Sequence, residues 1–129
     1  MKAAHTGGAV LLVEDDPLVR LDTALALSDA GFAVIEAGTA DEAIDILAQR
    51  SHIGLVFTDI EMPGHHDGLD LAQRVEETRP GIPVLVTSGR RRAENLDPKR
   101  FFAKPYDPRA VIARAKALTA KRRRGALYA

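Results

Sequence analysis

Val10-Leu11-Leu12-Val13-Glu14-Asp15-Asp16-Pro17 decides how this chain folds. An apolar run stops on three acids, and a proline follows where a helix begins. The pattern recurs down the chain. Ile53-Gly54-Leu55-Val56-Phe57-Thr58 stops at Asp59, Ile82-Pro83-Val84-Leu85-Val86 stops at Thr87-Ser88, and Phe101-Phe102-Ala103 stops at Lys104-Pro105. Short apolar runs alternating with helical patterns predict a parallel sheet with helices on both faces. All four polar signals then meet at the carboxyl edge of one sheet, where open α/β sheets bind ligands. Clustered carboxylates suit a hard cation such as Mg²⁺; a hydroxyl and an ammonium suit a phosphoryl group.

The elements between these runs carry their own signals. Asp16 reads as the cap of a first helix with Pro17 at its first position, and Leu18, Val19, Leu21 and Leu25 read as its apolar stripe. Gly31 ends that helix, and residues 32–37 form a second strand. Thr39-Ala40-Asp41-Glu42 is a capping box opening a helix buried through Ala43, Ile44, Ile46 and Leu47. Met62-Pro63-Gly64 is a loop, Gly68-Leu69 begins a third helix that runs to about Thr78, and Asp107-Pro108 opens the last helix through Val111, Ile112, Ala115 and Leu118. Between Thr87 and Lys104 there is room for one or two helical turns only, because a full crossover needs about 10–12 residues including its helix.

Bulk properties bound the class. The chain has 129 residues, which suits one domain, and its 46% hydrophobic content argues against disorder. It has no cysteine, so thiol catalysis and thiolate metal sites are excluded, in keeping with a reducing compartment. No apolar stretch has membrane-spanning length and residues 1–8 have no secretory pattern, so a cytoplasmic domain is expected. The net charge of zero hides a split: residues 1–89 hold 5 basic and 15 acidic side chains, residues 90–129 hold 13 and 3. Such asymmetry reports on surfaces and partners.

The stretches VLLVEDDP (10–17), LVFTDIEMPG (55–64) with DGLDLA (67–72), PVLVTSG (83–89) and FFAKPYDP (101–108), in this order, resemble the receiver domain of two-component response regulators. The resemblance covers about residues 8–120. It implies one receiver domain over residues 1–129, with a short leading tail, a basic trailing tail and no output domain. The implied fold is a doubly wound, five-stranded parallel sheet of order 2-1-3-4-5, flavodoxin-like, with a shortened or irregular fourth helix. It implies that Asp59 accepts a phosphoryl group and that Asp15 and Glu14 hold Mg²⁺, with Mn²⁺ as a substitute. Asp59 and the backbone carbonyl of Glu61 complete the metal shell. Lys104 pairs with the phosphoryl oxygens, Thr87 moves to bond them, and Phe101 swings inward with Thr87. Lys104-Pro105 resembles the family's cis peptide.

The partners so implied are a sensor histidine kinase or a histidine phosphotransfer protein, and an unidentified downstream protein; a homodimer stays open, and no membrane or nucleic-acid partner is expected. Such a protein catalyses only its own phosphorylation and dephosphorylation. The rival readings are a phosphate sink, a receiver that binds partners without phosphorylation, and a small phosphohydrolase, for which Glu61 is the one nearby second acid. The chain departs from the common pattern in His65-His66-Asp67, a loop one residue longer than usual, whose histidines read as a solvent-exposed pair. Glu61 could repel the phosphoryl group or place a hydrolytic water. Arg90-Arg91-Arg92 read as a solvated basic loop, and Lys121–Arg124 as a solvated helix end.

Overall fold

In a computed structural model, the described residues are 8–90 and 97–128, with side chains to residue 120. Five strands, β1 (Ala9–Val13), β2 (Val34–Ala37), β3 (Ile53–Asp59), β4 (Val84–Ser88) and β5 (Phe101–Ala103), alternate with helices α1 (Pro17–Asp29), α2 (Ala40–Gln49), α3 (Gly68–Thr78) and α4 (Pro108–Tyr128). The sheet order is β2-β1-β3-β4-β5 and every neighbouring pair is parallel. The expected doubly wound architecture is therefore present. In the crossover from β4 to β5 the helical part of the described residues is a single 3₁₀ turn, Pro98–Arg100. Much of the expected short fourth helix falls on residues 91–96, outside the described residues.

The central strands explain the uninterrupted apolar runs. Every residue of β1 and β3 is buried, because helices cover both faces of the sheet. Alternate side chains of β1 go to opposite layers. Val10 and Leu12 join Leu27, Phe57, Val111 and Ala115 beneath α1 and α4. Ala9, Leu11 and Val13 join Ala43, Leu47, Leu71 and Val75 beneath α2 and α3. Among the described residues no helix is long and apolar enough to cross a membrane.

The caps form largely as the residue types predict. Asp16 accepts from the amides of Leu18 (2.9 Å) and Val19 (3.3 Å) at the start of α1. Thr39 accepts from the Glu42 amide at 3.1 Å, but the Glu42 carboxylate reaches back to Gly38 N rather than to Thr39, one residue beyond the expected box. A reciprocal box occurs instead at α3, between Asp67 and Asp70.

One expectation is reversed. Leu18, Leu21 and Leu25 are 78%, 52% and 56% exposed, and α1 faces the sheet through Thr23, Ala24 and Leu27. At about 100° per residue the two rows lie on opposite sides of the helix. Two rows of apolar residues compete in this segment. The smaller side chains win because they let α1 approach the sheet closely and because Leu27 reaches the buried ring layer around Phe57.

Candidate functional site

Strand register brings the polar residues to one level. Val13 pairs with Thr58, so Glu14, the next residue, stands level with Asp59; Asp59 pairs with Thr87, and Thr87 with Phe102. Glu14 and Asp59 are 2% and 5% exposed, whereas Asp15 is exposed. One carboxylate oxygen from each of Glu14, Asp15 and Asp59 lies within 4.8 Å of the others. Three hard oxygen donors at that separation fit Mg²⁺, which takes few protein carboxylates and keeps several waters. Asp16 stands apart as a helix cap, as its place before Pro17 predicts.

Lys104 reaches the site from the end of β5. Its ammonium donates to Glu14 Oε1 at 2.5 Å and to Asp59 Oδ2 at 2.8 Å. Burial works to lower the affinity of Lys104 for its proton, but hydrogen bonds to Asp59 and Glu14 outweigh it and hold the ammonium well above its ordinary range. Burial also pushes the Glu14 carboxyl up, against the opposing bonds from Lys104 and from the Asp16 amide. The Lys104-Pro105 peptide is cis, as the motif implies.

Above these groups lies an open cavity of about 620 Å³, lined by Asp15, Asp59, Glu61, Met62, Asp67, Arg90 and Lys104 among others. Thr87 is 2% exposed, and its hydroxyl donates to the Phe102 carbonyl at 2.6 Å, so it is engaged with β5 rather than with Asp59. Phe101 is half-buried opposite Val86, and the ring that joins Phe57 in the core is that of Phe102. The Glu61 amide donates to Asp59 Oδ1 at 3.3 Å. Its carboxylate accepts from Ser88 Oγ at 2.6 and 2.8 Å and from Arg90 N at 3.1 Å, which ties the loop after β3 to the end of β4. Arg91 and Arg92 lie outside the described residues, as do the side chains of Lys121–Arg124.

Several supporting residues carry no motif of their own. Arg20 donates from Nη1 to the Glu14 carbonyl at 2.7 Å and from Nε to Glu36 at 3.3 Å, pinning the acidic turn to β2. Tyr106 lays its ring edge-on to Phe57, with centroids 5.3 Å apart, and its hydroxyl meets Thr23 Oγ1 at 2.6 Å. A Cβ on Gly68 would stand 1.9 Å from the Asp59 carbonyl oxygen, so only glycine lets α3 begin against the end of β3. A glycine at the first position of a helix is the one sequence signal that could have exposed this contact. Ser88, legible as the second hydroxyl at the end of β4, has a partner in Glu61 that no sequence signal discloses. The His65-His66 pair departs from its expected free exposure: His65 is exposed, but His66 is partly buried against Asp41.

A parallel sheet of this order, with buried acids at the ends of β1 and β3, a hydroxyl ending β4 and a lysine beyond β5, is the arrangement of a receiver-type signalling domain. The chain belongs to the response regulator receiver domain family, whose model matches residues 10–116. It is 34% identical over 119 residues to the transcriptional regulatory protein AruR of Pseudomonas aeruginosa, covering 84% of this chain and 48% of that protein. It is 36% identical over 115 residues to the transcriptional regulatory protein PmrA of Pectobacterium parmentieri, covering 84% and 51%. The chain thus spans about half the length of these curated relatives. A crystal structure of a response regulator receiver protein from Sinorhizobium medicae superposes with a TM-score of 0.82 at 29% identity, over 93% of this chain and 97% of that one.

Proposed function

We propose that this chain is a Mg²⁺-dependent phosphoacceptor that takes a phosphoryl group from a phosphohistidine, on a sensor histidine kinase or a phosphotransfer protein, onto Asp59. The observation that carries this reading is the convergence of Glu14, Asp15, Asp59 and Lys104 at one sheet edge. An Asp59 carboxylate oxygen forms the new P–O bond. The donor's N–P bond breaks, and the imidazole nitrogen keeps that electron pair. Glu14, Asp15, Asp59 and the Glu61 carbonyl are the groups to hold the metal. When bound, Mg²⁺ neutralises the charge that otherwise keeps a carboxylate from a phosphoryl group. Lys104 is placed to exchange its bond to Asp59 for bonds to the phosphoryl oxygens. Thr87 would release Phe102 O to join them, and Phe101, on the adjacent strand, would follow. Transfer of this kind is mostly positioning and charge stabilisation, and these residues supply both.

The leucine row of α1 stands exposed on the helix that Asp16 starts beside the acids, and it gives a donor protein an apolar footing there. Phosphorylation would then shift the population toward a conformer with altered contacts to a downstream protein. Intact-mass spectrometry after incubation with Mg²⁺ and acetyl phosphate tests the reading. One added phosphoryl group is expected, absent in Asp59→Asn and absent without Mg²⁺. If neither acetyl phosphate nor a phosphohistidine donor leaves an adduct while Mg²⁺ still binds, the chain works through phosphorylation-independent contacts and the proposal is wrong.

A further inference from the structure

The loop from Glu61 to Asp67 forms one wall of the cavity, through Glu61, Met62, Pro63 and Asp67. Its outer end is tied to the start of α2 by a single side chain. Asp41 Oδ2 accepts from the His65 amide at 3.1 Å, and Asp41 Oδ1 lies 2.6 Å from His66 Nδ1. The backbone just before these contacts comes so close that a Cβ on Gly64 would stand 2.7 Å from Asp41 Oδ2, and Gly64 takes a φ of 107° that other residues rarely adopt. Asp41 is not used by the capping of α2, which falls to Thr39 and Glu42.

We propose that Asp41 and His66 form a latch on the loop that walls the phosphoacceptor cavity, with Asp41 as the positioning residue and His66 as its proton-sensitive half. Protonation of His66 turns the contact into a full ion pair and holds the wall in place; deprotonation leaves a hydrogen bond from an uncharged ring to the carboxylate. The His66 ring meets Asp41 of α2; His65 and Asp67 flank it along the loop, and Asp67 closes a capping box with Asp70 at the start of α3. The hydrogen bond from the His66 ring, then that from the His65 amide, holds the Asp41 carboxyl below its usual range. Because the wall carries Glu61, whose amide bonds Asp59, the latch acts on the metal shell as well as on access to it.

The inference rests on the phosphoacceptor reading for its use, but its test does not need phosphoryl transfer. Imidazole and amide NMR resonances of the whole chain, without Mg²⁺, are followed across the imidazole range in the native protein, Asp41→Asn and His66→Gln. In the native protein the amides of 61–67 should move together with the His66 ring. His66→Gln should abolish that movement. Asp41→Asn, which keeps an acceptor for the His65 amide, should hold the loop but lose most of its pH response. In parallel, Mg²⁺ should bind about threefold more weakly to His66→Gln than to the native chain at mildly acidic pH, the scale of a part-exposed ion pair, with the ratio falling toward one at alkaline pH. Loop amides that ignore the His66 titration, or that follow it equally in Asp41→Asn, would overturn the latch. A chain that shows the coupled titration but never takes a phosphoryl group would instead overturn the phosphoacceptor reading and leave the latch standing.

Discussion

Replacing Lys104 by methionine removes one ammonium from between two carboxylates and leaves most of its stem. Glu14 and Asp59 have side chains 3% and 6% exposed, and Lys104 is 24% exposed. Taking one partner from a buried ion pair costs about 3–5 kcal/mol, because the other charge stays desolvated. Here the lysine is a quarter exposed and the cavity admits water, so screening brings the loss to about 2 kcal/mol. The same change removes the competitor that a cation must displace from Glu14 Oε1 and Asp59 Oδ2. Mg²⁺ should therefore bind the variant more tightly than the native chain. At about 100 times its dissociation constant a ligand adds about 2.7 kcal/mol to stability, enough to offset the loss. Urea unfolding of both proteins, with and without Mg²⁺, reads all four values. The expected result is a variant that is weaker without metal and restored by it. A loss below about 0.5 kcal/mol, or one that Mg²⁺ leaves unchanged, would refute the claim that Lys104 holds the acids together before the metal arrives.

Two further outcomes follow from the same geometry. Gly68→Ala places a methyl group where the Asp59 carbonyl stands, so α3 must retreat and the bond from Gly68 N to Ile60 O is lost; a destabilisation of about 3 kcal/mol is expected in urea unfolding, with weaker Mg²⁺ binding because Asp59 moves too. Burial raises the Glu14 carboxyl, so protons should compete with Mg²⁺ from above the ordinary glutamate range, and affinity measured calorimetrically from about pH 8 to about pH 5 should fall earlier in Glu14-containing protein than in Glu14→Gln. The effect on the metal-free fold has the opposite sign. A raised folded value means that the contribution of Glu14 to stability is fully present below its unfolded value and is lost as pH rises through the folded one.

What the sequence discloses and what it hides divide along a physical line. The site was legible because it is built by strand ends: once the apolar runs are parallel neighbours, Glu14, Asp59 and Thr87 have to fall level, and Lys104 is one short step beyond β5. The supports were not legible, because they depend on distances between elements that no local pattern encodes. Ser88 and Arg90 N meet Glu61 across two strand ends, Arg20 reaches the Glu14 carbonyl from a helix, and Tyr106 finds Thr23 across the α1 face. The α1 leucines show the same limit from the other side. Periodicity reports that a helix has an apolar row but not which row faces the sheet when two compete. Three leucines left at 52–78% exposure each forgo about half to three-quarters of the roughly 1.5–3 kcal/mol that full burial supplies. A helix can leave that much apolar surface in water when Ala24 and Leu27 already anchor it. Such a row, on the helix that starts beside the proposed phosphoacceptor site, is where an intermolecular contact would recover the burial that folding left unused.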